Sequence, residues 1–131
     1  MVMKKYISVI LCLICISTLS ACGQKADPVS LPPHNEITSV DITVGGKTVS
    51  HSDKAWISET AAEISASEPT ARKSVQDTPQ VKSYIKIDIR AGEKTTALFA
   101  YGDDGKYYIE QPYQGIYRID KKLYERLRQA V

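Results

Sequence analysis

The sequence predicts an α+β fold. It is a two-layer domain, a mostly antiparallel sheet of five to six strands with two helices on one face, in the order ββαβββ(β)α. Three observations lead there. Runs that alternate apolar and polar residues, the pattern of strands with one buried face, recur from Ile37 to Ile119. Hairpin-length links join most of them, which favours antiparallel pairing. Two other segments repeat their apolar residues at helical spacing, each behind an aspartate able to cap it.

The chain has 131 residues, room for one domain at most. Residues 1–21 read as a lipoprotein signal peptide. Lys4 and Lys5 charge its start, Ile7 to Ile16 is almost wholly apolar, and small residues lead to Ala21 and Cys22. The apolar run is short of the about 20 residues that a membrane span needs. Leu19-Ser20-Ala21-Cys22 resembles a bacterial lipobox. The resemblance implies cleavage between Ala21 and Cys22 and lipid attachment at Cys22, with palmitate-type chains. The mature chain would then sit on the extracytoplasmic side of the cell membrane. Two or three acyl chains make a firm anchor, because each buried methylene contributes about 0.8 kcal/mol. Residues 22–35 begin with that cysteine and include GQKADPVSLPP, which has no apolar period. They read as a flexible tether that clears the headgroups. Residues 36–131 form the domain.

Val40 to Val44 alternates apolar and polar residues, Gly45-Gly46 turns the chain, and Lys47 to Ser50 returns. Ser52 or Asp53 caps a helix from Ala55 to Ser67, whose stripe is Trp56, Ile57, Ala61 and Ile64 and which Pro69 stops. Thr70 to Lys82 is polar, contains Pro79 and reads as a surface loop. Loops of that length in compact domains are often functional or mobile. Tyr84 to Arg90 alternates isoleucines with charges and is the clearest strand. Ala91 to Lys94 turns it into Thr95–Tyr101, with Leu98 and Phe99 on opposite faces. Gly102-Asp103-Asp104-Gly105 leads to Lys106–Gln111, and Pro112-Tyr113-Gln114-Gly115 to Ile116–Ile119. Asp120 caps a last helix bearing Leu123, Tyr124 and Leu127. Trp56, Ile57, Ile64, Ile85, Ile87, Ile89, Leu98, Ile109, Leu123 and Leu127 are the expected core.

Charge and composition narrow the function. Removing Lys4 and Lys5 from 17 cations leaves 15 against 15 anions, so the mature domain is neutral. That argues against nucleic acid, whose binding rests on phosphate neutralisation. It also argues against a polybasic membrane-surface protein. Cys12 and Cys15 fall in the signal segment, so no disulfide, thiolate nucleophile or cysteine metal ligand is expected in the domain. His34 and His51 are the two histidines, and read as surface residues rather than metal ligands. Asp103-Asp104 suits a turn better than a calcium or acid/base site. Gly45-Gly46 lacks the helix and the third glycine of a dinucleotide loop. No cofactor is implied.

Residues 107–127, YYIEQPYQGIYRIDKKLYERL, hold five of the eight tyrosines. Tyrosine fits a half-buried pleated surface, which alone accounts for them. The alternative is a surface for a peptide or glycan, with Tyr107, Tyr113 and Tyr117 as its residues. The stretch resembles the closing segment of a family of small extracytoplasmic bacterial domains of unknown function. That family occurs in lipoproteins of Gram-positive, mainly clostridial-type, bacteria, and similar segments occur in the outer tails of membrane sensors of the beta-lactam-sensing type. Glu110, Gln111, Pro112, Tyr113, Gly115, Ile116, Tyr117, Ile119, Asp120, Leu123 and Tyr124 carry the resemblance. So do Gln76, Asp77, Pro79 and Tyr84 in SVQDTPQVKSYIKIDI. It covers most of residues 37–127 and implies no activity.

The resulting expectation is a non-enzymatic binding or regulatory module, lipid-anchored at the cell envelope, with an envelope protein or peptide as partner. One alternative is an envelope hydrolase using Asp88, Glu110 and Asp120. Another is an inhibitor or immunity lipoprotein.

Overall fold

The computed structural model describes residues 24–131, so Ala21 and Cys22 lie outside the described residues. The elements are β1 (Ser39–Val44), β2 (Lys47–His51), α1 (Lys54–Ser65), β3 (Glu68–Pro69), β4 (Ile85–Ala91), β5 (Lys94–Asp103), β6 (Lys106–Gln111), β7 (Gly115–Ile119) and α2 (Lys121–Gln129). The strands form one open sheet in the order β2-β1-β4-β5-β6-β7-β3. Every pair is antiparallel. The fold is the expected α+β class with seven strands instead of five to six.

The extra strand is β3. Its two residues pair with Arg118 and Tyr117 of β7. Two residues are too few to show a period, and Pro69 signals a stop. Proline is nevertheless tolerated on a sheet edge, where β3 lies.

Both predicted caps form. Asp53 Oδ2 accepts the Trp56 N–H at 3.1 Å, and Asp120 Oδ1 accepts the Leu123 N–H at 2.8 Å. The Gly45-Gly46 turn places both residues at positive φ, 57° and 81°, the backbone a two-residue hairpin with matching twist requires.

One face of the sheet carries the core. Val40, Ile42, Ile85, Ile87, Ile89, Leu98 and Ile109 meet Ile57, Ala61 and Ile64 of α1 and Leu123 and Leu127 of α2. Arg126 clips the two helices together, reaching Glu63 at 2.9 Å and Glu59 at 3.3 Å. Trp56 is only partly buried, unlike the other expected core residues. It lies over the sheet's edge rather than its centre, with its ring stacked on His51 of edge strand β2 at 4.1 Å and the Arg126 guanidinium 5.8 Å away.

The segment read as a tether is docked on this same face. Val29 and Leu31 pack against the core. The Gln111 amide brackets the backbone of Ser30, accepting from its N–H and donating to its carbonyl, each at 2.8 Å. The Tyr117 hydroxyl donates to the Asp27 carbonyl at 2.6 Å, and the Ala26 N–H donates to the Thr70 carbonyl at 3.1 Å. Prolines hide any period here, yet Val29 and Leu31 still find apolar surface that the helices leave open.

Candidate functional site

The opposite face of the sheet holds a second, smaller buried cluster. Strand alternation sends Phe99 and Tyr101 of β5, Tyr108 and Glu110 of β6, and Ile116 of β7 to this side. The loop from Thr70 to Tyr84 covers them. It has almost no regular structure of its own, and side chains pin it along its length. Ser74 Oγ donates to Glu110 Oε2 at 2.8 Å. The Arg72 guanidinium lies 5.3 Å from the centre of the Tyr108 ring. Asp77 Oδ1 accepts from the Tyr113 hydroxyl at 2.7 Å. Tyr84 meets Phe99 edge-on at 5.0 Å.

Glu110 is 1 % exposed, an unusual burial for a carboxylate. Its other oxygen accepts from the Tyr101 hydroxyl at 3.2 Å. Burial pushes the Tyr101 phenol well above its ordinary value, and the neighbouring Glu110 carboxylate adds to the effect. A carboxylate occupied by two hydroxyls and shielded from water holds a loop in place.

Tyr113 departs most from ordinary backbone geometry. It sits at φ 62°, in the left-handed region, at the third position of the tight turn that Gln114 N–H closes onto the Gln111 carbonyl at 3.0 Å. Proline at the second position and positive φ at the third are the marks of a type II turn, in which glycine is the usual third residue. Here a tyrosine occupies that place and is 67 % exposed. Its bond to Asp77 raises its phenol pKa.

Beside this turn the described chain begins. A cleft of about 400 Å³ lies between residues 24–27, residues 71–75 and the turn at Tyr113 and Gln114.

A family model described as a domain of unknown function (DUF5300), and labelled DUF5301, matches residues 25–118. The chain belongs to the DUF5301 family. The match starts within the segment docked on the core face, so that segment falls inside the family's domain. The NMR structure of a protein from Ruminococcus gnavus is similar at 31 % identity and a TM-score of 0.64, covering 74 % of this chain and 99 % of that one. No curated protein matches the chain.

In this DUF5301 domain the three expected surface tyrosines do not form one patch. Tyr107 is half-buried on the core face against Tyr124, with ring centres 4.7 Å apart. Tyr117 is fully buried, because its partner in register is Ile109 and the docked segment closes over it. Burial raises its phenol pKa. Only Tyr113 is exposed. Nor do Asp88, Glu110 and Asp120 converge. Asp88 lies 3.7 Å from Lys86 on β4, Glu110 is held by hydroxyls, and Asp120 caps α2. His51 Nε2 lies 2.7 Å from the Ala130 carbonyl, and His34 Nε2 lies 3.4 Å from Ser65 Oγ, so each histidine has its own local partner. The sequence offers the loop from Thr70 to Lys82 as a contact surface but singles out neither Ser74, Val75 nor the cations of the 71–75 segment within it. The one signal for them was the length of the loop.

Proposed function

We propose that the protein is a lipid-anchored, extracytoplasmic binding or regulatory module without catalysis of its own, acting at the envelope of a Gram-positive, clostridial-type bacterium. The lipobox ending at Cys22 supports the location. The observation that carries the binding reading is the pinned loop from Thr70 to Tyr84. Four separate side-chain contacts hold a long irregular segment in one conformation. Such a loop has already lost its conformational freedom before it meets a partner, and pre-organisation of this kind raises affinity. An envelope protein or peptide is the partner class.

The anchor is tested by intact-mass analysis of the membrane fraction beside a Cys22→Ala variant. A lipid-sized increase on a chain starting at Cys22, lost in the variant, supports it. An unmodified secreted chain sinks it. The binding surface is tested by a photo-crosslinking residue placed at exposed Gln80 on the loop or at exposed Ser58 on α1. A discrete adduct from position 80 alone supports the reading, and equal or absent adducts from both positions count against it.

A further inference from the structure

We propose that the face around residues 24–27, 71–75 and Tyr113 rests directly on the bilayer surface and sets the orientation of the domain. The inference rests on the lipid anchor at Cys22 and adds what that anchor does to the fold.

Chain length carries the first step. Ala26 is already fixed, with its N–H on the Thr70 carbonyl. Four links separate it from Cys22, and fully extended they reach at most ~14 Å. A thioether to diacylglycerol holds Cys22 at the glycerol level of the lipid. The headgroup layer beyond that level is about 5 to 8 Å thick. The tether therefore cannot lift the domain clear of the membrane. Whatever surrounds Ala26 lies among the headgroups or within about one screening length, 8 to 10 Å, of them.

What surrounds it suits that place. Of the large apolar side chains exposed among the described residues, the two most exposed are Val75 at 72 % and Tyr113 at 67 %. Both line the cleft beside Ala26. Lys25, Asp27, Arg72 and Lys73 line it too, with Asp103 4.0 Å from Arg72 and Asp77 on the Tyr113 hydroxyl, so cations and carboxylates are matched at this end. An aromatic ring with a polar tip and an exposed aliphatic residue, flanked by charges of both signs, suit a lipid–water boundary. The left-handed backbone at Tyr113 and its bond to Asp77 hold the ring out at the turn's tip, a strained position that membrane contact explains.

The test uses the mature lipoprotein purified from membranes, its lipid confirmed by intact mass. It is reconstituted into phosphatidylcholine vesicles that carry a spin label on the headgroup. Cys22 is acylated, so a single introduced thiol can be labelled with a fluorophore. It is placed at Ala71→Cys on the proposed face or at Lys47→Cys at the start of β2, the far edge of the sheet. Strong quenching at position 71, with little at position 47, is expected. The difference should shrink in a Val75→Ser/Tyr113→Ser variant, which removes the two most exposed apolar side chains of the face. Equal quenching at both positions on a lipid-bearing chain overturns the orientation and leaves the anchor standing. A difference unchanged in the Val75→Ser/Tyr113→Ser variant overturns the assigned face. A chain recovered without lipid overturns the anchor and this proposal with it.

Discussion

Ser74 Oγ and Glu110 Oε2, 36 positions apart in the chain, are joined by a 2.8 Å hydrogen bond in the interior of the second sheet face. The bond ties an irregular loop to β6, an interior strand of the sheet. Ser74→Ala should therefore cost about 1 to 3 kcal/mol, since it leaves a buried carboxylate short of a donor. Tyr101→Phe removes the longer bond to the other oxygen and should cost less. The double variant should cost less than the sum, because both hydroxyls serve one carboxylate. Denaturant unfolding of the four proteins measures this. Strictly additive losses would show that the two bonds act independently.

Stability should fall at alkaline pH, and Tyr101 should account for part of the fall. Its phenol stays protonated in the fold at pH values where the unfolded chain, with an ordinary value of 10.0, has lost the proton. The contribution is complete below about pH 10 and is lost progressively above it, with a slope approaching about 1.4 kcal/mol per pH unit for one such group. Tyr117 is raised in the same direction by burial and steepens the same limb. Tyr101→Phe should flatten the alkaline limb by about one group while leaving the slope near neutrality unchanged. An unaltered alkaline slope in that variant would mean that Tyr101 titrates normally in the fold.

The parts of this fold legible in the sequence are those with local causes. Alternation alone places Ile85, Ile87 and Ile89 on the core face, and the capping aspartates act within three residues of themselves. Distant partners decided the rest. β3 exists because β7 offers an edge, and a two-residue strand beside a stop signal leaves no pattern to read. The docking of Val29 and Leu31 depends on core surface between elements whose packing is not written in those residues. The tyrosine stretch shows the same division. Alternation separates Tyr107 from Tyr108, but whether Tyr117 faces solvent depends on a segment ninety positions earlier, from which Asp27 closes over it. The face proposed to meet the bilayer was the least legible part, because it comprises three stretches that meet only in three dimensions.

Tyr113 offers a test of backbone strain separate from side-chain loss. Tyr113→Ala and Tyr113→Gly both remove the bond to Asp77, but only glycine accepts φ 62° without a steric penalty. The glycine variant should be the more stable of the two by about 1 kcal/mol, despite the greater freedom it gives the unfolded chain. Thermal unfolding of the pair decides it. Equal stabilities would show that the turn relaxes to another conformation once the ring is gone.

Gly115 controls how the N-terminal segment joins the domain. A Cβ added there would lie 2.5 Å from the Ala26 Cβ and 3.1 Å from the Tyr117 hydroxyl oxygen, closer than such atoms approach. Neither neighbour is free to yield, since Ala26 is held by Thr70 and the Tyr117 hydroxyl by the Asp27 carbonyl. Gly115→Ala should therefore displace residues 26–28 while sparing the core face beneath the helices. The cost should be about 1 to 3 kcal/mol, the usual range for overpacking. Amide hydrogen exchange should show lost protection at Ala26 and Thr70, with Ile87 and Leu98 unchanged. In the proposed lipid-anchored form the same substitution frees more chain beside Cys22, so the contrast in quenching between positions 71 and 47 should weaken as well. Retained protection at Ala26 would mean that the segment keeps its bond to Thr70 and that the turn at Gly115 yields instead.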